Sequence, residues 1–253
     1  MAGHSKWSNI KARKGAQDKK RGKIFARILK EITVAVKENG LDGNPETNPA
    51  LRNAVQNARG ANMPKDNIDR AIKRASGADS KNYEFLSFEG YGPHGIAVFV
   101  ECMSDNLNRT VAIVRSIFNK YGGSLGTNGS LEFIFNRFGV FTILKENLKM
   151  DWDELQLELI EHGAESFEEE DEVYLIYSAF ADFGKVAEVL NKLGVQTQSA
   201  ELERIPNHTE VLPLEQSLAI MKMIDAFEDE DDVQSVFHNL ELTDELSEAL
   251  SST

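Results

Sequence analysis

The spacing of apolar positions divides the chain into a helical segment up to about residue 80 and a mixed segment after it. Residues 1–22 hold no sustained apolar period; basic side chains alternate there with Gly3, Gly15 and Gly22, which reads as an arm loosely held when alone. From Lys23 to Glu38 the pattern turns helical, with Ile24, Ile28, Leu29, Ile32 and Val36 on one side and Lys23, Arg27, Lys30 and Lys37 on the other. Asn39-Gly40 stops it. A second helix is expected after Pro49, where Leu51, Val55 and Ala58 form a buried stripe and Arg52 and Arg59 lie outside it. A third opens near Met63-Pro64 and ends at Ser76-Gly77. At about 100° per residue, its Ala71, Ile72 and Ala75 cluster around the direction of Ile68, and Arg70, Lys73 and Arg74 point the opposite way.

After Ser80 strands and helices alternate. Ile96 to Val100 reads as a buried strand, Asn106 to Tyr121 as a helix capped by Asp105, and Leu131 to Phe135 as a further strand. Next come a strand at Gly139 to Leu144, a helix at Trp152 to His162, strands at Ala164 to Phe167 and Val173 to Tyr177, a helix at Phe183 to Leu193 and a strand at Gln196 to Leu202. That order, βαββαβ, is the ferredoxin-like plan. Beyond Pro206 a strand at Glu210 to Leu212 and a helix at Leu214 to Ala226 are too little to fold alone, so they are expected to complete the domain begun at residue 82. The expected fold is α+β and multidomain: an N-terminal three-helix domain followed by two α/β domains, at least one of them ferredoxin-like. Its domains are residues 1–81, a discontinuous 82–136 plus 206–253, and 137–205.

Charge sharpens this division. The chain of 253 residues has a net charge of −13, which alone would argue against a polyanionic partner. Residues 1–81 nevertheless carry eighteen Lys/Arg against eight acids, a balance of +10, while the remainder carries ten against thirty-three, a balance of −23. Asymmetry of this size points to a nucleic-acid or membrane contact. A membrane surface would want exposed Trp, Phe or Leu beside the bases, which only Trp7 offers. No stretch approaches the ~18 apolar residues of a membrane span, and one cysteine, Cys102, excludes an internal disulfide framework. The ten Lys/Arg of residues 1–30 resemble a mitochondrial presequence, but the glycine punctuation argues against it, so a cytoplasmic location is expected.

The candidate nucleic-acid contacts are therefore Lys6, Trp7, Lys11, Arg13, Lys14, Lys19, Lys20, Arg21, Lys23, Arg27, Lys30, Arg52, Arg59, Lys65, Arg70, Lys73 and Arg74. Each cation set near a phosphate releases condensed counterions, which gives affinity without reading sequence. Trp7 could stack on a base or pin the arm to the helices. Other chemistry is thin. Gly90-Tyr91-Gly92-Pro93-His94-Gly95 matches a dinucleotide-binding pattern in letters, but a strand follows it where a helix is required, so a turn is expected. Gly122-Gly123-Ser124-Leu125-Gly126 reads as a helix stop. The five histidines and Cys102 show no ligand spacing, and the acidic runs 168–172 and 228–232 read as solvated loops. No catalytic residue, metal or cofactor is expected.

Several blocks together resemble one family: Ala2-Gly3-His4-Ser5-Lys6-Trp7, Arg13-Lys14, Asp18-Lys19-Lys20-Arg21, Asn62-Met63-Pro64-Lys65-Asp66-Asn67-Ile68, Glu89-Gly90-Tyr91-Gly92-Pro93, Ser104-Asp105-Asn106-Leu107-Asn108-Arg109-Thr110 and Gly122-Gly123-Ser124-Leu125-Gly126. In order and spacing they are similar to the YebC family of regulatory proteins, nearly end to end. The resemblance implies one helical and two α/β domains, the middle one discontinuous, and a role in gene regulation. Bacterial members of that family are described as probable DNA-binding transcriptional regulators; others, including a mitochondrial translational activator, act on the ribosome. Residues 41–49 form a connector longer than the resemblance leads one to expect. Two readings follow: a DNA-binding transcriptional regulator, or a translation factor whose basic segment grips ribosomal or transfer RNA. No dimer-forming heptad is present, and a monomer is expected.

Overall fold

The first helix begins earlier than its apolar stripe. A computed structural model of the protein describes residues 17–77 and 81–251, with side chains from residue 21 onward. Helix α1 spans Gln17–Glu38, so the arm expected over 1–22 is corrected for its last six residues. Gln17, Lys19, Lys20 and Arg21 are residue types with good helix propensity, and the single Gly22 costs only about 1 kcal/mol. Residues 1–16 lie outside the described residues.

Helix α2 spans Pro49–Gly60 and helix α3 Lys65–Ala75. Asn48 caps α2, its side chain accepting the Leu51 N–H, and Pro49 occupies the first turn, where its missing N–H costs nothing. Ile28, Ile32 and Val36 of α1 close on Leu51, Val55 and Ala58 of α2 and on Met63, Ile68 and Ala75. Each large aliphatic side chain so buried stabilises by roughly 1.5–3 kcal/mol, which makes this stripe the reason the three helices hold together.

The described residues gather into two compact units, one formed by those of 24–81 with 137–203, the other by those of 1–23, 82–136 and 204–253. In the first, β4 (Phe135–Leu144), α5 (Trp152–Ile160), β5 (Ala164–Glu169), β6 (Val173–Ala179), α6 (Phe183–Lys192) and β7 (Ser199–Pro206) follow the βαββαβ order. The sheet order β5-β6-β4-β7 is that of a ferredoxin-like domain, with Phe141, Ile143, Leu155, Leu159, Ile176, Val186 and Leu190 in its core. Strand β7 starts at Ser199 rather than Gln196, because the residues before it close α6, Val195 N–H reaching Leu190 O, and cross to β4, Gln198 N–H reaching Thr142 O.

In the second unit the sheet order is β3-β1-β2-β8, from β1 (Glu84–Tyr91), β2 (Ala97–Ser104), β3 (Ser124–Leu125) and β8 (Val233–His238). Helices α4 (Leu107–Lys120) and α7 (Leu214–Glu228) supply Val114, Phe118, Ile224 and Phe227 to its core, and α8 (Asp244–Ser251) adds Leu246. Strands β1 and β8 and helix α8 lie where no element was expected. The strand expected at Leu131 to Phe135 is a turn up to Ile134, because the buried Glu89 carboxylate accepts the N–H groups of Gly129 and Leu131. The strand expected at Glu210 to Leu212 reduces to one parallel bridge between Glu210 and Leu240. The cap of α4 is Asn106, which accepts the Arg109 N–H; Asp105 instead pairs with the Arg109 guanidinium.

Candidate nucleic-acid interface

Helix α3 is the most two-faced element of the helical segment. Ile68 and Ala75 are buried, whereas Lys65, Arg70, Lys73 and Arg74 are exposed. Lys73 and Arg74 stand in the last turn, where the helix dipole favours cations, so part of their placement is explained by the helix itself. Arg70 is partly spent: its guanidinium donates to the Asp66 carbonyl and to Asn67 Oδ1. With the other described residues, Arg59, Lys65, Lys73 and Arg74 form no hydrogen bond or ion pair through their side chains.

The remaining candidates divide. Lys23 pairs with Asp229, which withdraws it from an outside ligand. Arg21, Arg27 and Lys30 each make contacts within the protein. Arg52 donates from Nε to the Pro45 carbonyl and from Nη2 to the Glu46 carbonyl, and its charge also helps hold the Glu188 carboxyl below its ordinary value, an effect due first to the hydrogen bond from Lys192. Lys19 and Lys20 lie on α1, with side chains outside the description. Lys6, Trp7, Lys11, Arg13 and Lys14 lie outside the described residues.

The connector between α1 and α2 is folded by its own polar groups. Asp42 accepts the Asn44 N–H and the Thr47 hydroxyl, and these two bonds keep its carboxyl below the ordinary aspartate value. Asn48, 1% exposed, sends its amide to the Ala35 and Asp42 carbonyls. Gly43 permits the approach to α3, since a Cβ there would stand 2.9 Å from Ser76 Oγ and 3.0 Å from Ile72 Cγ2. Between this connector, α2 and α3 lies an open concavity of about 570 Å³. Pro45, Val55, Met63, Ile68 and Ile72 line it with apolar surface, and Arg59, Lys65, Lys73 and Asp69 bring charge to it.

Comparison with known proteins bears on what this segment serves. Residues 5–78 match the model of the TACO1/YebC protein N-terminal domain, and residues 83–240 match that of the TACO1/YebC second and third domain. The chain belongs to the TACO1/YebC family. It is 52% identical over 242 residues to a "Probable transcriptional regulatory protein" of Amoebophilus asiaticus, covering 95% of this chain and 98% of that one. A relative of the same name from Syntrophotalea carbinolica is 52% identical over 246 residues, covering 97% of each. Among solved structures, a conserved hypothetical protein of Aquifex aeolicus is similar with a TM-score of 0.78 and 38% identity, covering 94% of this chain and 97% of that one.

In this TACO1/YebC chain the groups that join the helical segment to the ferredoxin-like sheet escaped the sequence reading. Asn57 accepts the Ala200 N–H and donates to the Ala200 carbonyl, and Asn53 donates to the same carbonyl. These bonds cover the edge strand β7, whose unpaired backbone would otherwise invite another chain. Gln198 donates to the Gly60 carbonyl, and a Cβ at Gly60 would overlap the Gln198 carbonyl oxygen. An asparagine inside the apolar stripe of α2, between Val55 and Ala58, was the available signal.

The other motifs serve the fold. Residues 90–95 turn β1 into β2 as an antiparallel pair, with Gly92 N–H on the Ile96 carbonyl and a single 3-10 turn at Pro93–Gly95, so no α-helix opens there to receive a pyrophosphate. Gly122 and Gly123 close α4, their N–H groups reaching Asn119 and Phe118 carbonyls. One acidic run is not simply solvated: Asp232 is 8% exposed and its Oδ2 accepts from Ser104, Thr110 and Arg109. Among the described residues, no helix is long and apolar enough to cross a membrane.

Proposed function

We propose that the protein is a nucleic-acid-binding regulator of gene expression, acting as a DNA-binding transcriptional regulator that grips phosphates through its helical segment. The observation that carries this is the outer face of α3 with the end of α2, where Arg59, Lys65, Lys73 and Arg74 stand exposed and unpaired among the described residues. The names of the relatives support the regulatory reading. The grip extends over the cations named from the sequence, with Lys23 and Arg52 in bracing roles. The protein works without catalysis or cofactor, as a cytoplasmic monomer of three domains bounded near residues 81, 136 and 205.

Cation contacts of this type weaken with salt by about 0.9 in log K per log salt for each phosphate neutralised on duplex DNA. Reversing Arg70, Lys73 and Arg74 to Glu is expected to weaken binding to unrelated sequences alike and to flatten that salt dependence, with the helical circular dichroism retained. Unchanged affinity in the folded triple variant would remove α3 from the contact. Cross-linking in cells followed by sequencing tests the regulatory step: promoter DNA is expected. Ribosomal or transfer RNA recovered in its place would move the protein to translation.

A further inference from the structure

We infer that the concavity between α2, α3 and the connector receives one unpaired nucleotide of the bound strand, its base on the apolar floor and its phosphates on the rim cations. The inference rests on the nucleic-acid reading above and adds the form of nucleic acid that this site selects.

A floor made of Pro45, Val55, Met63, Ile68 and Ile72 has little to contact on a duplex, whose bases hide their faces by stacking. Every unstacked base presents such a face, and an aliphatic floor gains by removing that face and its own apolar surface from water, whichever base it is. Among the described residues, the only carboxylate lining the concavity is Asp69, set against the three cations Arg59, Lys65 and Lys73. Lys65 and Lys73 stand eight residues apart on α3, roughly 12 Å along its axis, which spans more than one phosphate of an extended strand. Arg59 faces the same space from α2. Apolar surface enclosed by like-signed cations suits a ligand that is flat and apolar in one part and anionic in the next, which describes a nucleotide.

The site is also built in advance. Arg52 fixes Pro45 and Glu46, Asp42 ties Thr47 and Asn44, and Asn48 anchors the connector to α1, so the wall formed by Gly43 and Pro45 stands without a ligand. Its volume of about 570 Å³ lies inside the range of roughly 300–1,000 Å³ typical of small-molecule sites. Preorganisation of this kind lowers the ordering cost of binding.

The test compares short single strands of thymidine or uridine nucleotides with backbones of equal length and charge that lack bases, each titrated against the full chain at low and moderate salt. The strands with bases are expected to bind roughly 3- to 10-fold more tightly than the abasic ones, from the apolar surface the base removes from water. Ile72→Gln, which replaces apolar floor with a polar side chain at unchanged charge, should lower that ratio, with thermal unfolding confirming that the variant is folded. Equal affinity of the wild-type protein for strands with and without bases would overturn the nucleotide pocket while leaving the phosphate grip intact. A folded Ile72→Gln that keeps the full ratio would overturn it as well. Binding of neither kind of strand, nor of duplex DNA, even at low salt would instead overturn the nucleic-acid reading itself. The thymidine and uridine arms separate DNA from RNA as the source of the unpaired nucleotide.

Discussion

Helices α2 and α3 lie side by side in the same small core and use their polar residues in opposite ways. On α2, the side chains of Arg52, Asn53 and Asn57 all donate to backbone carbonyls elsewhere in the protein, the Gly60 carbonyl accepts from the Gln198 side chain, and five of its twelve residues are buried. On α3 only Ile68 and Ala75 are buried, and Lys65, Lys73 and Arg74 contact none of the other described residues through their charges. A count of charges along the sequence treats the two helices alike. Their contacts show that one is a structural brace and the other an exposed surface, so mutations should separate stability from binding.

The largest effect is expected at the brace. Gly60→Ala places a Cβ against the Gln198 carbonyl, where neither backbone can yield cheaply, and should cost about 3 kcal/mol in urea unfolding. A variant as stable as the wild type would show that α2 is not seated on this loop. Asn57→Ala removes both bonds to Ala200 and leaves buried backbone groups without partners; a loss of about 1–3 kcal/mol in thermal unfolding is expected, with nucleic-acid affinity unchanged once the protein is folded.

Charge changes then sharpen the contrast. Arg52→Ala should lower stability by about 1–2 kcal/mol and leave the salt slope of binding unaltered, because its guanidinium already serves Pro45 and Glu46. The pair Lys73→Glu with Arg74→Glu should do the reverse: a stability change of no more than about 1 kcal/mol, from the reversed helix-end charges, and a shallower slope. If both variants shift stability and slope together, the division between brace and surface fails.

How much of this was legible in the sequence follows from which interactions are local. Apolar period and punctuation located α2 and α3 to within a residue or two, because Asn48-Pro49 and Met63-Pro64 act on their immediate neighbours. The ferredoxin-like order was legible for the same reason. Strand β1 was not, since its Glu89 looks like a surface residue until residues 129–131, some forty positions away, supply its partners. Strand β8 was hidden likewise by Asp232, in an acidic run, whose partners Ser104, Thr110 and Arg109 come from a distant segment. At the candidate site, the sign of the charge was legible but its employment was not: that Lys23 and Arg52 are engaged depends on Asp229 and on the folded connector.

The smallest expected effect tests the connector that forms one wall of the concavity. The Asp42 carboxyl lies below its ordinary value because the Thr47 hydroxyl and the Asn44 N–H both favour its charged form. In the unfolded chain the group titrates near about 3.9. Its contribution is therefore complete above that value and is lost as the pH falls through the lower value of the folded state. Between pH ~5 and an acid pH low enough to protonate the Asp42 carboxyl in the folded protein, the Asn44 amide should lose protection from hydrogen exchange relative to amides within α3. Asp42→Asn should reduce that protection already at neutral pH and remove this component of its acid dependence. Protection that is equal at both pH values in the wild-type protein would mean that the connector is held by Asn48 and Arg52 alone, and the wall of the concavity would then owe nothing to Asp42.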